Sequence, residues 1–344
     1  MKKITLRIAS LLAVLALLSA LAVPASAAKP EFMLALGDSI TTGYGLDGYA
    51  ETDPYECASY TNIVAEALGL EAKSAYVNKA VNGATSADLL KLLPDVENYL
   101  GYADLVVVTI GGNDLLGAVP LVATAIAGKS ITSLEGSIEV LSAATPAQFA
   151  SLSNNTNFQT KIGAVLTKYA VNLASIAAVI KQNAPTARVI FVKQYNPMKN
   201  VPGFGEFGNF ADTLSASINS SIETVCATSG FEVLDAPSVI DVNAAALTNM
   251  PNYDIHPNAD GHKEIAKLLT EYLNTVPFNP ETEPVTEPET EPGTEPVTEA
   301  ETTEVPATET EGQLEAPGCM SSVSSAVIVM ASIAVFAIFK KKEN

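Results

Sequence analysis

Residues 104–110 read Asp104-Leu105-Val106-Val107-Val108-Thr109-Ile110, and Gly111-Gly112 end the run. A strand built from successive aliphatic residues has no polar side to offer water, so both of its faces must be covered. That requirement excludes a one-sided antiparallel sheet and points to parallel strands packed between helices. The rest of the chain repeats the theme. Short apolar runs at 31–36, 74–77, 188–193 and 231–234 predict strands. Segments with helical apolar spacing at 60–68, 87–100, 162–182, 214–228 and 262–273 alternate with them. The expected class is α/β, with a parallel central sheet. Residues 115–157 break the rhythm as a long Ala-, Ser- and Thr-rich insertion, within which 116–126 predicts an apolar helix. It reads either as extra core or as a cover beside a site at the sheet edge.

Both ends of the chain differ from this middle. Residues 1–28 combine Lys2 and Lys3, an apolar run, and Ala25-Ser26-Ala27, which together predict a cleaved secretory signal peptide. Residues 277–316 are almost entirely Pro, Glu, Thr, Val and Ala, too poor in large apolar side chains to bury a core, and predict a disordered linker. Residues 321–339 form an uncharged, mostly apolar run of bilayer-spanning length, followed by Lys340-Lys341-Lys342 in a tail of residues 340–344. The expectation is a folded domain at 29–276 held outside the cell by one C-terminal membrane span. No Leu-Pro-x-Thr-Gly sorting motif is present, so the span is expected to be retained.

The formal charge of −19 is unevenly distributed. Of 38 acidic residues, 12 fall in 281–315 and one is Glu343; of 19 basic residues, six lie at the two ends; the middle keeps 25 acids and 13 bases, net −12. With no basic cluster there, nucleic acid is not an expected partner. The three cysteines, Cys57, Cys226 and Cys319, and the two histidines, His256 and His262, show no zinc-ligand spacing. An extracellular location would allow Cys57 and Cys226 to pair.

In parallel α/β sheets ligands bind beyond the carboxyl ends of the strands. Three Gly-containing loops fall at such ends: Gly37-Asp38-Ser39, Asn82-Gly83-Ala84 and Gly111-Gly112-Asn113-Asp114. A fourth segment, Asp254-Ile255-His256-Pro257, precedes the last helix. A serine at a strand-to-helix turn is exposed, but its hydroxyl is a weak nucleophile without a neighbouring base. His256, in a loop, suits that role better than His262, which sits where a helix begins and reads as structural or rim. Gly83 can bring its backbone N–H close to a ligand, and Asn113 can aim a side-chain amide into the same space, giving with the Ser39 N–H three donors for an oxyanion. Taken singly, each loop is an ordinary turn or helix cap. The turn around Gly37 lacks the lysine and the spacing of a phosphate-binding loop.

Together, Gly37-Asp38-Ser39-Ile40, Gly83, Gly111-Gly112-Asn113-Asp114 and His256-Pro257-Asn258 resemble, in order and spacing, the motif blocks of GDSL/SGNH hydrolases. The resemblance covers about residues 32–274. It implies a three-layer α/β/α sandwich of flavodoxin-like type carrying a helical insertion, and hydrolysis of carboxylic esters through an acyl-serine, with no metal or organic cofactor. By that match Ser39 is the nucleophile, His256 the base, and Ser39, Gly83 and Asn113 the oxyanion hole. The chain departs from the family at the triad acid. The usual acid position, three residues before the histidine, is Tyr253; the nearest carboxylate is Asp254, two residues before. Asp254 is expected to orient His256, with a backbone carbonyl as the other possibility. The implied partner is an ester, an acetylated polysaccharide or a short acyl or lipid ester, acted on by a monomeric domain. The alternative is a non-catalytic surface module that binds carbohydrate on the same fold.

Overall fold

The computed structural model describes residues 29–275 and 278. The expected signal peptide, linker, membrane span and cytoplasmic tail lie outside the described residues. Five parallel strands form one sheet in the order β2-β1-β3-β4-β5: β1 (Met33–Gly37), β2 (Tyr76–Asn78), β3 (Leu105–Thr109), β4 (Arg188–Val192) and β5 (Glu232–Leu234). The order reverses at β1, so the crevice between the carboxyl ends of β1 and β3 is the topological switch point.

Side chains alternate between the two faces with a period of two, and each face builds its own core. Leu34, Leu36, Val106, Val108, Val189 and Phe191 point to one side, beneath α3 (Ser86–Leu92), α4 (Glu97–Tyr102), α9 (Thr156–Asn183) and α10 (Gly205–Ser229). Met33, Ala35, Leu105, Val107, Ile190 and Val192 point to the other, beneath α2 (Tyr60–Leu68), α11 (Pro237–Ile240) and α13 (Ala259–Thr275). The expected three-layer sandwich is therefore present. By length and composition alone α9 could cross a bilayer, but Tyr169, Leu173, Ile176 and Ile180 on it are buried in the first core.

One expected helix is interrupted. The spacing over 87–100 predicts a single helix, but Pro94 lies in a 3₁₀ turn, Leu93–Val96, between α3 and α4. Proline supplies no N–H to the ladder and crowds the preceding turn, which divides the helix. The insertion after β3 forms α5 (Gly112–Leu116), α6 (Val119–Ala127), α7 (Leu134–Ser142) and α8 (Pro146–Ser151). Leu115, Val119, Val122, Leu141 and Phe149 from it join the first core, so the insertion is extra core along its inner side. Cys57 and Cys226 are both buried and both unpaired, so the disulfide that an extracellular location would allow does not form. The Cys57 thiol lies within reach of the Thr42 and Pro54 carbonyls, while Cys226 belongs to the first core.

The sheet edge is set by close backbone approach at Gly37, where φ is 125° and a Cβ would lie 1.9 Å from the Thr109 carbonyl oxygen. Replacement by alanine has no side chain to displace, only backbone. Gly37→Ala is expected to cost at least about 4 kcal/mol or prevent folding. Gly230→Ala, at a left-handed cap with nothing within 4 Å, is expected to cost only about 1 kcal/mol. Soluble yield and thermal unfolding of the two variants check the contrast.

Candidate active site

The turn leaving β1 carries the first component. Asp38 caps the short helix α1 (Ser39–Thr42), its carboxylate accepting the Ile40 N–H at 3.1 Å. Ser39 is the first residue of that helix, so its N–H has no acceptor within the helix. Beneath it the Thr109 hydroxyl donates to Asp38 at 2.9 Å and lies 2.7 Å from the Thr41 hydroxyl, which in turn meets the Tyr60 hydroxyl at 2.9 Å. All of these residues are buried. Burial pushes the Asp38 carboxyl up to about 6, against the hydrogen bonds from Thr109 and Ile40 that favour its charged form.

The turn leaving β2 carries Gly83, in the left-handed region at φ 74°, where a Cβ would meet nothing within 4 Å. Several bonds tie this turn to its neighbours. The Val81 N–H donates to the Gly37 carbonyl at 2.9 Å, and the Thr42 hydroxyl donates to the Asn82 side chain at 2.7 Å. From the turn leaving β3, the Asn113 amide donates to the Ala84 carbonyl at 3.0 Å and keeps a second N–H. Asp114 accepts the Ser86 N–H at 2.8 Å and the Ser86 hydroxyl at 2.5 Å, which fastens the start of α3 to the same turn. The residues expected as oxyanion donors are thus brought to one edge by short bonds between three loops.

His256 arrives from the segment between α12 (Ala244–Leu247) and α13. Its Nε2 lies 2.8 Å from Ser39 Oγ, and its Nδ1 lies 2.6 Å from Asp254 Oδ1. The same carboxylate oxygen accepts the His256 backbone N–H at 3.0 Å. Burial would raise the Asp254 carboxyl, but the hydrogen bonds it accepts from the His256 ring and backbone outweigh that and hold it below its ordinary value. An ionised carboxylate can only accept, so Nδ1 carries the proton and Nε2 presents its lone pair to the serine hydroxyl.

The shortened spacing works because of the loop's shape. Tyr253 adopts a left-handed backbone, φ 63°, at the end of a 3₁₀ turn. The Asp254 N–H then donates to the Asn249 carbonyl at 3.2 Å, and the Asn249 N–H donates to the His256 carbonyl at 2.9 Å. The Tyr195 hydroxyl donates to the Ile255 carbonyl at 2.8 Å from below. Tyr44 flanks the imidazole, with ring centroids 5.0 Å apart. His262, in contrast, is fully buried. It accepts the Tyr60 N–H at Nδ1, 3.1 Å away, stacks on the Tyr60 ring, and is pushed down to about 3 by burial, so it is a neutral structural residue. Among the described residues no group of His, Cys, Asp or Glu is arranged to hold a metal ion.

Residues 35–264 match the GDSL-like Lipase/Acylhydrolase family. The chain belongs to that family. Its members are esterases and lipases, and this GDSL-like protein is a hydrolase of ester bonds. Among solved structures, it is similar to phospholipase A1 from Streptomyces albidoflavus, at 19% identity and a TM-score of 0.49, covering 72% of this chain and 99% of that one. An extracellular lipase from Streptomyces rimosus is similar at 20% identity and a TM-score of 0.47, covering 71% and 98%. Axe2, an acetylxylan esterase from Geobacillus stearothermophilus, is similar at 18% identity and a TM-score of 0.45, covering 70% and 93%. No curated protein sequence matches the chain.

Sequence reasoning assigned no role to Asp38, Thr109, Tyr44, Asn249 or Tyr195. Asp38 alone carried a readable signal, an acidic cap immediately before a helix start. The others act across loops distant in sequence.

Two outcomes follow from this geometry. Asp254→Asn leaves the shape but disfavours the Nδ1–H tautomer, and should lower kcat by about 10³–10⁴; a loss below about tenfold would pass the orienting role to a backbone carbonyl. Asp38 is a buried acid with a raised pKa, so its contribution to stability is present below pH 3.8 and lost as pH rises through about 6. Asp38→Asn should therefore gain on the native protein between pH 4 and pH 7, by up to about 3 kcal/mol. Urea unfolding at the two pH values checks the sign.

Proposed function

We propose that the chain is an extracellular, surface-anchored carboxylic ester hydrolase that works through an acyl-serine on Ser39. The observation that carries this reading is the continuous contact from Ser39 Oγ to His256 Nε2 at 2.8 Å and from His256 Nδ1 to Asp254 at 2.6 Å. In the first half-reaction His256 takes the Ser39 proton as Oγ attacks the ester carbonyl carbon. The carbonyl oxygen becomes an oxyanion, met by the N–H groups of Ser39 and Gly83 and by the Asn113 amide. Collapse breaks the carbon–oxygen bond to the alcohol, which leaves with the proton from His256. In the second half, water gives a proton to His256 and attacks the acyl carbon. The acid leaves, the proton returns to Ser39 Oγ, and no external cofactor enters the balance.

The expected substrates are acetylated glycans or short acyl and lipid esters. The apolar leader, the Glu- and Thr-rich stretch and the apolar run before Lys340 support secretion and anchoring of the domain at the cell surface. A non-catalytic carbohydrate-binding module would have no use for an aligned serine, imidazole and carboxylate.

A membrane-impermeant fluorophosphonate probe applied to intact cells is expected to label the wild-type chain covalently and to leave Ser39→Ala unlabelled. Labelling of Ser39→Ala at an equal level would remove Ser39 as nucleophile. Labelling only after cell lysis would place the domain inside.

A further inference from the structure

A groove that no step above uses lies where the insertion meets the segment that follows β4. Ile138, Leu141 and Phe149, from α7 and α8, make one wall; Phe204 and Phe207, from the segment between β4 and α10 and the start of α10, make the other; Tyr253 also lines it. Its volume is about 380 Å³, within the range of small-molecule sites. Among the described residues Glu206 is the one charged side chain along it.

Two observations connect the groove to the reaction. Tyr253 immediately precedes Asp254, the partner of His256. It is a bulky residue in the left-handed region, a conformation that costs on the order of a tenfold shift in population, and it is 52% exposed. An exposed ring gains little from the core, and this one packs edge-on against Phe204, centroids 5.9 Å apart. The strained residue beside the triad acid is thus part of the groove's lining. Second, in chain order the walls come from segments that leave the carboxyl ends of β3 and β4, as the turns of Ser39 and Asn113 leave those of β1 and β3.

We propose that this groove receives the acyl chain of the ester, and that the substrates are medium-chain aliphatic acyl esters rather than acetyl esters. The proposal deepens the acyl-serine reading and rests on it. An apolar wall gains from every methylene it takes out of water, by about three- to fourfold in kcat/KM per methylene until the groove is filled.

The test uses the full chain and p-nitrophenyl acetate, butyrate and octanoate. Wild type is expected to prefer octanoate to acetate by at least about thirtyfold in kcat/KM. Ser142, exposed on the last turn of α7 and lining the groove, can take a filling side chain without entering the core. Ser142→Trp should lower the octanoate-to-acetate ratio at least about tenfold; Ala144→Trp serves the same purpose should the first variant fold poorly. An absent octanoate preference, or an equal loss on both esters, would overturn the assignment. A variant that slows n-octyl acetate but spares p-nitrophenyl octanoate would show that the groove holds the alcohol chain, and the proposal fails. Wild type that labels at Ser39 yet fails these tests keeps the hydrolase and loses the groove. Folded protein that neither labels nor turns over any ester loses both.

Discussion

The catalytic edge depends on how closely the carboxyl ends of β1 and β3 approach one another at Gly37 and Thr109. Only a residue without a Cβ permits that approach. With the strands so close, the Thr109 hydroxyl reaches the Asp38 carboxylate, and Thr41 and Tyr60 extend a buried polar chain beneath Ser39. Burial makes the charge on Asp38 costly, and hydrogen bonds recover part of that cost. The direction in which Ser39 leaves the sheet follows from this backbone arrangement.

A second constraint lies more than two hundred positions downstream. The loop before α13 has one residue fewer between acid and imidazole than the family pattern to which it is similar. It compensates with a left-handed turn at Tyr253, after which a single oxygen of Asp254 serves both the ring and the backbone of His256. Tyr195 and Asn249 brace the turn through backbone groups, so the loop's shape is fixed by main-chain bonds as well as by its own sequence. The strained position persists because its surroundings hold it from several sides.

The insertion illustrates how one segment serves two ends. Its inner residues, among them Val119 and Val122, are as buried as any in the sandwich. Its outer turn, with Ile138 and Ser142, faces the segment that follows β4 across a groove. Of the two readings that composition left open, the packing bears out extra core; the reading as a cover rests on the groove proposal.

The three-layer sandwich was legible in the sequence because an uninterrupted aliphatic strand such as Leu105 to Val108 can exist only with both faces covered. The Ser39, Gly83, Asn113 and His256 positions were legible because glycine and small polar residues at strand ends are local features. Other properties were not written locally. Pro94 divided a helix that apolar spacing alone predicted as one. Cys57 and Cys226 stayed apart because pairing requires proximity that the packing does not provide. The contact of Asp254 with His256 depended on φ at the residue before it, and those of Thr109, Tyr195 and Asn249 on loops distant along the chain. The sequence by itself determined which residues could do chemistry and which strands had to be buried. The tertiary structure alone decided which oxygen meets which ring nitrogen, because hydrogen bonds of under 3 Å are set by the packing of whole elements.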